Sequence, residues 1–315
     1  MTLVIDATRL IPGGIATRIF SDLGFEVVKV EDTENGDYMR RLSPEANKYL
    51  NSGKKSISIN LKKKDGLNIF YKLIKNADVF LESFRPGVVN KLKIGPDTLH
   101  KINPKLVYCS IYGYGNASDD PGHDINFTAY SGIDRVLPVQ VADTGSALYA
   151  DIMILQHLYA QDFSHIIINM SAVPELFNVY SIFSEHNMLD GSYPCYSIYE
   201  TVDGKVALGC LEEKFWINFL KAMHAEDMKE KQFEADSRSK VQAMLCSLKS
   251  RAVIQMGKEY DFPASIVRLK NEVAAEMMPC DNAPLSGENT IEILKHMNFD
   301  ENEINYFISN NIIKI

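Results

Sequence analysis

The chain has 315 residues, enough for one large domain or two smaller ones. Hydrophobic residues make up 46% and charged residues 23%, the balance of an ordinary water-soluble globular chain. A formal net charge of -8 argues against a general nucleic-acid binder, which needs a positive face to displace phosphate counterions.

From the N-terminus, residues 3–5 read as a short buried strand, and residues 15–23 as a helix with Gly24 as its C-cap. Residues 27–30 and 56–61 read as strands two and three, followed by an amphipathic helix over 65–75. Residues 79–81 and 106–111 are further strands, 144–160 a long apolar helix, and 166–170 a strand. Strands alternating with helices imply βαβ units and a mostly parallel sheet. Near residue 186 the texture changes: 193–208 reads as a β-hairpin turning at Asp203-Gly204, then charged helices run from about 213 to 275. Two short helices are expected over 290–313.

Cys109, Cys195, Cys210, Cys246 and Cys280 are scattered, odd in number and form no CxxC pair. A disulfide framework and a zinc site both fit poorly, so a reducing, cytoplasmic setting without a metal is expected. No stretch is apolar enough to span a membrane, and the opening residues do not have the pattern of a signal peptide. Gly13-Gly14 before a helix invites a phosphate-loop reading, but GxGxxG spacing and a P-loop lysine are both missing.

Several stretches, in order, resemble the class III CoA-transferase and alpha-methylacyl-CoA racemase family. They are Asp6-Ala7-Thr8-Arg9-Leu10 with Pro12-Gly13, then Asp22-Leu23-Gly24, Val28-Lys29-Val30-Glu31 and Gly36-Asp37-Tyr38-Met39-Arg40. Gly53-Lys54-Lys55-Ser56, Phe84-Arg85-Pro86-Gly87, Tyr108-Cys109-Ser110 and Gly287-Glu288-Asn289-Thr290 continue the series. Three further stretches resemble the racemase branch: Gly122-His123-Asp124-Ile125-Asn126, Ala142-Asp143, and Asn187-Met188-Leu189-Asp190-Gly191 with Leu211-Glu212-Glu213.

The resemblance implies an α/β fold with a Rossmann-like large domain and a smaller α+β domain. The large domain would take residues 1–185 with 285–315, and the small one 186–284. It implies an interlocked homodimer, with Glu212 reaching His123 across the subunit interface. The substrate would be an acyl-CoA thioester, with no separate cofactor because coenzyme A is part of the substrate. By this resemblance His123 and Asp143 are the catalytic pair, and Glu212 hydrogen-bonds the histidine. Coenzyme A and substrate contacts fall to Arg40, Lys54, Lys55, Ser58, Ile59, Asn60, Leu61, Arg85, Gly122, Asp124 and Asn126. Arginine and lysine pair well with its phosphates.

The chemistry needs such residues. Removing a proton alpha to a thioester leaves an enolate, and racemisation needs a base on one face of the carbon and an acid on the other. A histidine and a carboxylate of raised pKa fit those roles. Backbone N–H groups near Gly122, or the helix N-terminus at Asp143, are candidates to hold the enolate oxygen. Each residue also has a plainer reading: His123-Asp124 as a surface turn, Asp143 as an N-cap, Glu212-Glu213 as a helix N-terminal charge pair, and Lys54-Lys55 as a solvated face.

The chain departs from the family's pattern at Asp32, where an arginine commonly follows the acidic residue ending the second strand. His123 and Asp143 are also closer in sequence than is usual, and 161–186 is abbreviated. Two alternatives follow: a class III CoA-transferase with Asp143 as nucleophile, and a non-catalytic coenzyme A binder or scaffold.

Overall fold

A computed structural model describes residues 1–183, 188–277 and 283–315. The expected domain boundary at 186 and Cys280 lie outside the described residues. Ten strands occur among them. They are β1 (Leu3–Ala7), β2 (Glu26–Glu31), β3 (Lys55–Ile59), β4 (Val79–Glu82), β5 (Val107–Tyr112), β6 (His165–Asn169), β7 (Tyr196–Thr201), β8 (Gly204–Gly209), β9 (Ala264–Ile266) and β10 (Ile313–Lys314). The chain divides into two compact units, residues 1–178 with 279–315 and residues 179–278.

The first unit is built on one seven-stranded sheet in the order β10-β3-β2-β1-β4-β5-β6. All its pairings are parallel except β10 against β3. Successive strand residues face opposite sides, so burial on both faces explains the unbroken apolar runs. Ile5, Val28, Phe80 and Tyr108 join the core on one face, with residues of the Lys64–Lys75, Thr290–His296 and Glu301–Ser309 helices. Val4, Val27, Val79 and Val107 join the other, with residues of the Leu10–Asp22 and Val141–Ala160 helices. The strand order reverses between β1 and β4, which makes this a Rossmann-like arrangement. In such sheets the crevice outside the strands' carboxyl ends is where ligands bind.

The C-terminal segment returns to this unit. Asn289 Oδ1 accepts the Ser56 N–H at 2.9 Å, and the Asn289 N–H donates to the Ser56 carbonyl at 2.9 Å. Phe299, Ile304, Phe307 and Ile312 complete the core beneath β3.

The first helix starts at Leu10, five residues before the apolar periodicity predicts, and runs through Pro12, Gly13 and Gly14. A Cβ on Gly13 would stand 2.1 Å from Thr8 Oγ1. That hydroxyl is tied to Asp6 at 2.6 Å, so glycine is a packing requirement here and not a helix break.

Under this helix lies a buried charge cluster. Lys29 Nζ is 3.0 Å from Asp37 and 3.5 Å from Asp6, and Lys54 Nζ is 3.4 Å from Asp6. Burial alone would raise the Asp6 carboxyl, but Lys29 and Lys54 hold it down at about 2. Burial dominates at Lys54, whose amine falls to about 8 despite Asp6. At Lys29 the surrounding carboxylates outweigh burial and push the pKa up.

The second unit has a three-stranded antiparallel sheet, β7-β8-β9, with helices that include Glu213–Met223 and Ser250–Tyr260. Trp216, Phe219, Val206 and Tyr199 form its separate core. The hairpin turns at Val202-Asp203, one residue earlier than the sequence suggests, because Gly204 already pairs with Thr201. Asp203 Oδ1 instead takes the Ser250 N–H at 2.7 Å, which fastens the turn to the next helix. Among the described residues Cys109, Cys195 and Cys210 are buried thiols and Cys246 is exposed.

Candidate active site

Two clefts open at the carboxyl ends of the strands of the first unit. The larger, about 650 Å³, is lined by Arg9, Leu10 and Pro12 after β1, by Ser83 to Pro86 after β4, and by Gly122, His123, Asn126 and Asp143. The smaller, about 240 Å³, is lined by Glu31 to Asn35 after β2, by Ile59 to Lys62 at the end of β3, and by Leu92. Arg9, Tyr38 and Phe84 belong to both walls.

His123 is exposed at the N-cap of the Asp124–Tyr130 helix, where Asn126 Oδ1 accepts its backbone N–H at 3.0 Å. A Cβ on Gly122 would meet the Phe127 ring at 2.6 Å. The lack of a side chain there lets the histidine loop close on Phe127, a buried residue of the core.

Asp143 is buried in the first turn of the Val141–Ala160 helix. Gln140 Nε2 donates to its Oδ2 at 2.9 Å. Burial, and secondarily the neighbouring Asp124 carboxylate, push its pKa up to about 7. The positive end of a helix favours ionised carboxylates, so desolvation outweighs the dipole here. The result is a carboxyl able to hold or give a proton near neutrality.

The other sequence-derived candidates separate into two groups. Arg85, Gly122 and Asn126 line the larger cleft, and Ile59, Asn60 and Leu61 line the smaller. The remaining six line neither. Lys54 is fully buried, with its amine on Thr17 at 2.6 Å and on Asn51 and Asp6, so both its phosphate reading and its solvated-face reading are replaced by a structural one. Lys55 bridges Glu26 and Glu292. Arg40 is taken by Glu31 at 2.6 Å and by the Pro284 carbonyl. Ser58 is buried against the Asp32 carbonyl at 3.2 Å. Asp124 turns away from a ligand role: its Oδ1 accepts the Asp143 N–H at 3.0 Å. That bond occupies the backbone donor expected to face an enolate oxygen, which leaves the Gly122 side. Glu212 lies in the second unit, exposed at the N-cap of the Glu213–Met223 helix.

Sequence reasoning passed over Arg9, Tyr38 and Phe84. Arg9 was legible in principle, since the residue after the first strand of a βα unit sits at the crevice. It also passed over two buried acids. Glu82, at the end of β4, is pushed up to about 7 by burial, and its Oε2 accepts the Phe84 N–H at 2.7 Å beside the cleft. Asp151 is pushed up to about 8, also by burial, with neither oxygen hydrogen-bonded.

Asp151 has a measurable consequence. Below about pH 4 the carboxyl is protonated in both folded and unfolded chains. Between about pH 4 and 8 the unfolded chain gives up the proton and the folded chain keeps it, so stability falls as pH rises through that window. Asp151→Asn is therefore expected to be more stable than the parent at pH 8.5, by on the order of a few kcal/mol, with the gap shrinking toward pH 4. Thermal melts at the two pH values check this; a gap independent of pH contradicts it.

Among the described residues, no group of three or more His, Cys, Asp and Glu side chains is placed to hold a metal. Nor is any helix long and apolar enough to cross a membrane.

Comparison with known proteins bears on this site. The model of CoA-transferase family III matches residues 2–164 and 167–278. The chain is 28% identical to an alpha-methylacyl-CoA racemase of Mus musculus, over 99% of this chain and 96% of that protein. It is 36% identical to a human succinyl-CoA:glutarate CoA-transferase over 47% of this chain and 38% of that one. A crystal structure of a CAIB/BAIF family protein from Brucella suis superposes with a TM-score of 0.79 at 20% identity, covering 94% of this chain and 98% of that chain.

Proposed function

We infer that this chain, which belongs to CoA-transferase family III, racemises a 2-methylacyl-CoA-type thioester by moving the proton alpha to the carbonyl. The observation that carries this reading is that His123 and a buried Asp143 with a pKa near 7 line one cleft. One group takes the proton, and the C–H electron pair passes into an enolate whose charge rests on the thioester oxygen. The other group delivers a proton to the opposite face, inverting the carbon. Nearly full-length similarity to a racemase supports the same reading.

In this scheme the diphosphate and nucleotide of coenzyme A take the smaller cleft, and the acyl group the larger. Glu212 orients the imidazole across the subunit interface. The working unit is a homodimer. Its support is a row of exposed apolar side chains on one face of the Val141–Ala160 helix, Leu148, Ile152, Leu155 and Tyr159. Light scattering at micromolar concentration is expected to give twice the chain mass.

A transferase reading has its own support in the succinyl-CoA:glutarate CoA-transferase similarity. There Asp143 would attack the thioester as a carboxylate. A carboxyl held near pH 7 by burial is half protonated at neutrality, which suits proton donation better than attack. The test is to incubate one hand of a 2-methylacyl-CoA with the chain and separate the hands chromatographically. An approach to equal amounts of both hands supports the racemase. Acyl exchange with an added carboxylate, or an adduct trapped on Asp143, replaces it with the transferase.

A further inference from the structure

Resting on the coenzyme A reading above, we propose that Arg9 is the anchor for the ligand's diphosphate and that Asp32 competes for it from within the chain. The two clefts share Arg9, Tyr38 and Phe84, so a ligand with its nucleotide in one and its acyl group in the other must cross these three side chains. In coenzyme A the segment between those ends carries the diphosphate.

Arg9 is built for that position. Its guanidinium lies 5.2 Å from the Tyr38 ring centroid and 5.8 Å from that of Phe84, a weakly hydrated setting that holds the cation in place. It is the N-cap of the Leu10–Asp22 helix, whose Leu10 N–H already donates to Asp37 Oδ1 at 3.1 Å, so the pull on an added anion falls to the guanidinium itself. Its resident partner is Asp32, with Arg9 Nη2 2.7 Å from Asp32 Oδ2.

That pair is made to open. Asp32 Oδ1 accepts the N–H groups of Glu34 at 2.9 Å, Asn35 at 2.7 Å and Gly36 at 3.3 Å, so the loop holds the carboxylate without Arg9. These loop bonds, against some burial, keep its pKa below the ordinary carboxylate range. Only Oδ2 is given to Arg9, and both side chains are about one-third exposed (33% and 34%). Of the two other acids at this wall, Glu31 is committed to Arg40 and Ser56, and Glu34 is exposed in the loop that carries Asp32. A diphosphate offers Arg9 more charge and more acceptor atoms than one carboxylate oxygen. Binding therefore exchanges Asp32 for phosphate on the guanidinium, and Asp32 sets how tightly coenzyme A is held.

The test is a double-mutant cycle on coenzyme A binding, followed by calorimetry with free coenzyme A on the whole chain. Arg9→Gln is expected to weaken binding at least roughly tenfold, the loss of a charge-assisted contact. Asp32→Asn keeps the acceptor for the loop and is expected to tighten binding roughly two- to fivefold, the range in which an exposed ion pair holds its arginine. In the Arg9→Gln background the same change should do almost nothing. Asp32→Ser, which retains an acceptor by another chemistry, should tighten binding in the same way if Asp32→Asn fails to fold. Equal tightening with and without Arg9 overturns the proposal, because Asp32 would then act on the ligand directly. No tightening by either variant also overturns it. If the unmutated chain binds no coenzyme A, the functional reading itself falls, and this proposal with it.

Discussion

Replacing His123 by alanine is expected to abolish alpha-proton exchange from one hand of an accepted thioester, and replacing Asp143 by asparagine to abolish it from the other. On the proposed reading each group faces one side of the carbon, so each can remove a proton from one hand only. The loss for the affected hand is expected to be roughly 10²–10⁴-fold, the usual contribution of a positioned acid or base. Asp143 is protonated below about pH 7. The direction in which it donates should therefore slow about tenfold per unit above that pH, while the direction in which it accepts gains. Neither substitution removes apolar core, so both variants should unfold cooperatively, and Asp143→Asn, which removes a buried carboxyl of raised pKa, should be at least as stable as the parent. Initial rates of deuterium wash-in for each hand check the pattern. Near-parental rates in both variants contradict the two-base mechanism. Loss from both hands in Asp143→Asn alone, with an aspartyl adduct in the parent, points to the transferase.

The largest expected effect on stability comes from Asp6→Asn. This aspartate is fully buried between Lys29 and Lys54, and its Oδ2 also accepts the Thr17 hydroxyl at 2.8 Å. Breaking such a cluster leaves an uncompensated buried charge, at a cost of about 3–5 kcal/mol. The pH dependence has a definite sign. Burial already lowers Lys54 to about 8, and losing Asp6 lowers it further. A lysine with a depressed folded pKa costs stability below that pKa and recovers as it sheds its proton. The deficit should thus be largest near pH 6 and smaller near pH 9. Urea unfolding at both pH values checks this. A deficit under about 1 kcal/mol at pH 6 contradicts the role given to the cluster.

The parallel sheet was legible because burial on two faces writes itself as continuous apolar runs, as in Leu3 to Ile5 and Val79 to Leu81. The strands that went unread, β9 and β10, span three and two residues, too short to show a period. Pro12, Gly13 and Gly14 hid the start of the first helix, since their local preference reads as a turn while the close approach of Thr8 decides the matter. At the site, His123 and Asp143 came from resemblance and the structure puts both on one cleft. The cations were harder. Sequence shows a charge but not its partner, so Lys54, Lys55 and Arg40 read as phosphate ligands, whereas ion pairs and burial already engage them. Arg9 differs: its place after the first strand marks the crevice, but its position between two clefts comes from tertiary structure.

The central claim, that this chain moves the proton alpha to a thioester carbonyl, is tested most directly by mass spectrometry of 2-methylacyl-CoA recovered from the unmutated chain in D₂O. One deuterium at the alpha carbon, appearing in both hands and lost in the His123→Ala, Asp143→Asn double variant, is the expected result. Recovery of the thioester without deuterium, from a chain shown to bind coenzyme A, would contradict it.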